Sequence, residues 1–127
     1  MPNTFTDVYS DFGRLQIEMW RAIRLVVDTG LHSKKWTEQQ AIEYFTANSA
    51  KTLATVRTEV RRYMVMPGQA TAYKIGMIEI QRLRTKAETE LGQQFDIKAF
   101  HDTILDGGAM PLNMLDRKVS AWNTSQK

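Results

Sequence analysis

Residues 61–84 read "RRYMVMPGQATAYKIGMIEIQRLR", two helix-like runs interrupted once, at Pro67-Gly68. Proline removes a backbone donor and glycine tolerates left-handed backbone, so the pair ends one helix and lets another begin abruptly. Beyond the break, Tyr73, Met77, Ile80, Leu83, Ala87 and Leu91 recur at helical spacing. They predict a helix from about Gln69 to Leu91, roughly 35 Å long at 1.5 Å per residue, with Gly92 closing it. Neither run alternates as a strand would.

The same period extends outward in both directions. Toward the N-terminus, a helix is expected from about Val8 to Asp28, with Phe12, Leu15, Met19, Ala22, Ile23, Val26 and Val27 forming a broad apolar face. Thr29-Gly30 reads as its stop, glycine supplying the left-handed conformation. Thr37 and Gln40 in "TEQQAIEYF" have capping-box spacing. Asn48-Ser49 ends that short helix, and Ser49 is placed to cap "AKTLATVRTEVRRYMVM" (50–66). Toward the C-terminus, Asp96 caps "IKAFHDTIL" (97–105), Gly107-Gly108 stops it, and Pro111 opens "PLNMLDRKVSAW" (111–122). The expectation is an all-α protein of about six helices in a compact bundle. Residues 1–127 then form a single helical domain or one piece of a larger unit.

Composition agrees. A chain of 127 residues with 43% hydrophobic and 24% charged residues can bury a core and is not generally disordered. No apolar run approaches the roughly 20 residues of a membrane span. The start "MPNTFTDVYSDF" lacks a basic region followed by an apolar core, so the chain as given is expected in the cytoplasm. The absence of cysteine excludes disulfides, zinc ribbons and thiol catalysis. The net charge of +3 comes from basic residues interleaved with acidic ones, which reads as a salt-bridged surface before a nucleic-acid footprint.

Few residues are equipped for chemistry. The two histidines, His32 and His101, each lack a second ligand at i+3 or i+4, and there is no HExxH. No metal site or other cofactor is therefore expected within this chain. His101, in "FHD", reads as capping or hydrogen-bonding within a short helix. His32 directly follows a predicted helix end, where it either bonds terminal carbonyls or faces a site. The serines lack a nucleophile elbow.

Arg14, Arg21 and Arg24 line one side of the first helix, with Arg24 at i,i+4 from Asp28. An ion-pair ladder suits Arg14, whereas Arg21 and Arg24 border the apolar face and equally suit burial or the gripping of a carboxylate. Gln69, Tyr73 and Lys74 follow the break. An amide, a phenol and an ammonium at a helix N-terminus fit an oxyanion-stabilising corner. They also fit a plain corner in which Tyr73 begins the core stripe and Lys74 is solvated.

Four blocks in order carry a resemblance: "SDFGRLQIEMWRAIRLVVDTGLH" (10–32), W-T-x-x-Q-A-I-x-Y (36–44), E-V-x-R-Y-x-x-x-P-G-Q-A-x-x-Y-K-I-G (59–76) and LG-x-x-FD-I-K-x-FHD-x-I-L-x-x-G-A-M-P-L (91–112). Together, over about residues 9 to 122, they resemble the C-terminal end of the bacterial domain-of-unknown-function family 885. That family consists of large, mainly helical proteins, many predicted to be lipoproteins or secreted, regarded as metallopeptidase-like, of the HExxH zinc type.

The resemblance implies the C-terminal part of a larger peptidase-like fold, with the zinc-binding segment lying before Met1. It would be inactive alone, because water activation needs the missing ligands. Zinc is implied only for a longer family member. By analogy, Tyr73 faces the metal and stabilises the oxyanion, with His32 and Gln69 in support. Arg21, Arg24, Gln69 and Lys74 would contact a peptide substrate. The missing N-terminal part would be the partner, docking on an apolar face for which Met19, Trp20, Met64, Met66 and Met77 are candidates. The family also allows a periplasmic or lipoprotein location if the chain is truncated.

Two other readings remain open. The chain can be a stand-alone helical module that buries its apolar face in a homo-oligomer. Ranked third, "TEQQAIEYFTANSAKTLATVRTEVRRY" has a helix–turn–helix layout with Lys51, Arg57, Arg61 and Arg62 on its second helix, as in DNA readers.

Overall fold

A computed structural model describes residues 7–127. It contains six α-helices: α1 (Val8–His32), α2 (Glu38–Asn48), α3 (Leu53–Val65), α4 (Ala72–Leu91), α5 (Ile97–Leu105) and α6 (Leu112–Ser125). Short 3-10 turns occupy Gln69–Thr71 and Gly92–Gln94, and there is no strand among the described residues. The all-α, six-helix expectation holds. The helices gather into two compact units, one ending at Lys74 and the other beginning at Ile75.

In the first unit, Ile23, Val27 and Leu31 of α1, spaced i, i+4 and i+8, pack on Ala41, Ile42 and Phe45 of α2 and on Val56, Val60 and Tyr63 of α3. Each full burial of such a side chain is worth roughly 1.5–3 kcal/mol relative to exposure. Polar caps fix where the helices start. The Asp7 side chain accepts from Ser10 N at 2.8 Å at the head of α1. Thr37 and Gln40 close the expected capping box at α2.

Three local expectations are corrected. First, α1 runs through Thr29 and Gly30 to His32, four residues beyond the predicted end at Asp28. Thr29 does not break it, because its hydroxyl folds back to donate to the Leu25 carbonyl at 2.7 Å. Gly30 is no left-handed stop. A Cβ there would lie 2.3 Å from Trp36 Cε3, so the missing side chain is what lets the indole sit against the helix. The left-handed residue is Lys35, at φ 59°. Second, α3 is capped by Thr52, whose hydroxyl accepts from Thr55 N at 3.4 Å, and not by Ser49. Third, the predicted apolar face of α1 divides. Ile23 and Val27 are buried, while Phe12, Leu15 and Met19 are about half exposed.

The second unit centres on Leu83 and Ala87 of α4, Phe100 of α5, and Leu115 and Val119 of α6. Phe95 and Trp122 meet Phe100 at ring-centroid distances of 5.9 and 6.1 Å. Asp96 caps α5 by accepting from Lys98 N at 2.8 Å, and Gly107 and Gly108, both at positive φ, end that chain segment as expected. Asn123 is fully buried and donates to Glu90 Oε2 at 3.1 Å.

Candidate functional site: a basic aromatic corner

The Pro67-Gly68 break is a built corner. Gly68 takes φ 80°, open to glycine at little cost. Its N–H donates to both carboxylate oxygens of Asp28, at 3.2 and 3.1 Å. The Gln69 and Thr71 N–H groups donate to the Met66 and Gly68 carbonyls. Most of the corner's backbone donors are thus already used inside the fold, and the positive character around Tyr73 comes from side chains.

Those side chains are arginines. Arg24 is 9% exposed, and its Nη2 donates to Gln69 Oε1 at 3.1 Å. Arg62 Nη1 donates to the same oxygen at 3.2 Å, so the Gln69 amide bridges α1 and α3. The Arg24 guanidinium lies 4.9 Å from the Tyr73 ring centre and 5.4 Å from that of Tyr63. Arg21, one turn earlier, lies 5.2 Å from the Tyr73 ring centre. Such cation–π contacts are worth roughly 0.5–2 kcal/mol.

Behind this layer runs a hydrogen-bonded chain. Trp20 Nε1–H donates to the Tyr63 hydroxyl at 3.2 Å, and that hydroxyl donates to Glu59 Oε2 at 2.7 Å. Arg62 Nη2 donates to the same carboxylate oxygen at 2.7 Å. Burial by itself would raise the Glu59 carboxyl, but the bonds from Arg62 and Tyr63 and the charges of Arg62 and Arg24 hold it below its ordinary value. Burial, reinforced by the bond to Glu59, pushes the Tyr63 phenol up to about 12. Tyr63 therefore stays neutral and serves as a spacer between two arginines.

The Arg24–Asp28 pair expected from i,i+4 spacing does not form within 4 Å; Asp28 turns to Gly68 and Arg24 to Gln69. Neither Arg21 nor Arg24 has a carboxylate partner among the described residues. The Arg24 Nε–H is buried without an acceptor. An unmet buried donor costs about 1–3 kcal/mol, more when charged.

The structure therefore brings together Arg21, Arg24, Gln69 and Tyr73. Tyr73 does not enter the core, being 51% exposed. Lys74 is not simply solvated: its ammonium is largely covered and pairs with Glu18 Oε1 at 3.1 Å. His32 is the last residue of α1, and its Nε2 lies 2.9 Å from the Tyr63 carbonyl oxygen, so it caps the end of α3. His101 is exposed on α5 beside Phe100. Arg14 forms the expected surface ladder with Asp11 and Glu18. Sequence reasoning missed Glu59, Arg62 and Tyr63 as the backing of the corner. The i,i+3 and i,i+4 spacing of Glu59 to Arg62 and Tyr63 was the available signal.

Other features carry less. Phe12, Met19, Trp20 and Lys51 line a groove of about 380 Å³, in which the Lys51 ammonium sits 4.8 Å from the Trp20 ring centre. Of the basic residues in the helix–turn–helix layout, Lys51 lies before α3 and not on it, and is held by Trp20, while Arg61 is held by Glu38 at 2.7 Å and Arg62 by Glu59. Of these four, Arg57 alone lacks such a contact among the described residues, which is poor provision for reading DNA phosphates. Among the described residues no group of three or more His, Asp or Glu side chains is placed to hold a metal ion. No helix there is long and apolar enough to cross a membrane. Zinc therefore has no fitting donor set in these residues.

The architecture defines an all-α protein with an arginine-rich corner built on a proline–glycine break. The chain belongs to the family described as bacterial protein of unknown function (DUF885), whose model matches residues 2–119. Among solved structures it is similar to a crystal structure described as the putative lipoprotein from Colwellia psychrerythraea, at 46% identity and a TM-score of 0.94. That match covers 98% of this chain and 21% of the other, so the chain spans about a fifth of the length of that relative. No curated protein matches.

Proposed function

We propose that this chain is the substrate-side helical part of a larger peptidase-like protein, with the metal-binding part contributed by residues outside it. One observation carries the reading: 98% of the chain superposes on 21% of a much longer relative at TM-score 0.94. In this role Arg21, Arg24 and Tyr73 bind substrate, and Gln69 fixes Arg24 against Arg62. Lys74 and Glu18 form a neutral rim. His32 acts by holding the end of α3, and hence Tyr63, in place. The exposed Val8, Tyr9 and Phe12 at the start of α1 are the docking surface for the remainder of the fold, since apolar side chains at helical spacing are normally covered. The description of the Colwellia relative as a lipoprotein supports a periplasmic or membrane-anchored setting for the whole assembly.

Sequencing the DNA immediately upstream of the Met1 codon tests this. An in-frame continuation encoding HExxH and a later glutamate block is the expected result, and the extended protein should then cleave peptides. An in-frame stop codon refutes the proposal. Sedimentation of the chain would then decide whether the same apolar residues are buried by a second copy.

A further inference from the structure

We infer that the Arg21–Arg24–Tyr73 corner is a receptor for a single carboxylate, the free C-terminal carboxylate of a peptide. The inference rests on the substrate-side reading above and narrows it to a class of ligand. Arg24 is 91% buried by the complement of its 9% exposure, donates once to an uncharged amide oxygen, and has no carboxylate within 4 Å among the described residues. Arg21 likewise lacks one. Two guanidinium groups thus share one phenol ring, at 5.2 and 4.9 Å, with no counter-ion of their own.

Charge decides the kind of ligand. Arg21, Arg24 and Arg62 set against Glu59 and Asp28 leave one positive charge at the corner, while Lys74 and Glu18 cancel. A monoanion neutralises that excess, and a phosphate dianion overshoots it. Geometry agrees, because guanidinium forks suit a planar two-oxygen acceptor. A shallow cleft of about 290 Å³ provides room for the preceding residue. It is lined by Leu15, Met19 and Ala22 together with the Glu18–Lys74 ion pair, on the same helix as Arg21 and Arg24.

The test is a titration of the chain with N-acetyl-Ala-Ala, its C-terminal amide, and inorganic phosphate at matched ionic strength, read from the arginine Nε–Hε resonances. The free acid should shift the Arg21 and Arg24 signals saturably, and the amide should bind at least about tenfold more weakly, since a charge-assisted bond is lost. Arg21→Ala, an exposed position, should weaken the acid about tenfold. Arg57→Ala should change nothing. Equal binding of acid and amide, tighter binding of phosphate, undiminished binding by Arg21→Ala, or no shift at all would each overturn the inference. Because the readout is binding to this chain alone, its failure leaves the peptidase-part reading standing. An upstream stop codon would in turn leave a measured carboxylate site intact.

Discussion

Replacing Gly30 with alanine adds one carbon and distinguishes two reasons for a glycine near the end of α1. If glycine were needed as a left-handed stop, alanine would cost about 1–2 kcal/mol wherever Trp36 lay. In the structure Gly30 is helical, and the added Cβ would fall 2.3, 2.5 and 2.8 Å from three carbons of the Trp36 ring. Ordinary carbon–carbon contact begins near 3.5 Å, so the indole would have to retreat by about 1.2 Å. It is not free to do so: Trp36 N donates to the Gly30 carbonyl at 2.9 Å, and its ring lies 5.6 Å from that of Tyr44. Overpacking of this kind costs about 1–3 kcal/mol, partly offset by roughly 1 kcal/mol of better helix propensity. Gly30→Ala should therefore lose up to about 2 kcal/mol in urea denaturation. Repeated in a Trp36→Ala background, where the clash is gone, the same change should become stabilising by about 0.5–1 kcal/mol. A Gly30→Ala cost that persists without Trp36 would refute the packing argument.

Further outcomes follow from the caps, the buried phenol and the surface pairs. Thr37→Ala removes the side-chain half of the capping box and should cost about 1 kcal/mol by urea denaturation. Arg14→Ala should change stability by less than about 0.5 kcal/mol, because its partners Asp11 and Glu18 are solvent-exposed pairs on the same helix face. Tyr63, raised from 10.0 to about 12, keeps its proton in the folded state where the unfolded chain releases it. Its contribution is complete below pH 10 and is lost as pH rises toward 12, by about 2–3 kcal/mol in total. Tyr63→Phe should flatten that part of the stability–pH curve, and equal slopes for the two proteins would contradict the assignment. Glu59 has the opposite sign. Its lowered carboxyl contributes stability above the unfolded carboxylate range that is lost as pH falls, and Glu59→Gln should remove that acid dependence.

The elements were legible because local chemistry writes them. The Thr37–Gln40 box, Asp96, Gly107-Gly108 and the Pro67-Gly68 break act over three or four residues, within reach of sequence spacing. What spacing alone misplaces is set by distant residues. Gly30 looks like a stop until Trp36 is known to lie on it. Phe12, Leu15 and Met19 share a helix face with Ile23 and Val27, yet only the latter are buried against α2 and α3. Periodicity finds a face and cannot say how far along the helix its partners extend. The buried Asn123 gave no signal at all, since its contact with Glu90 spans 33 positions.

The corner shows why the charge pattern of a sequence underdetermines a site. Arg24 and Asp28 at i,i+4 invite an ion pair, but both are buried, where desolvation offsets much of what such a pair would gain. Gly68, turned to φ 80°, presents an N–H that needs an acceptor, and a carboxylate satisfies it more strongly than the distant arginine would repay. Once Asp28 is drawn to Gly68, Arg24 is left with the Gln69 amide, which relieves geometry and not charge. The proline–glycine break therefore does two things with one carboxylate. It anchors the turn between α3 and α4, and it strips Arg24 of its natural counter-ion at the position where Tyr73 emerges. A change that freed Asp28, such as Gly68→Ala at that positive φ, would be expected to disturb the turn and the charge of the corner together.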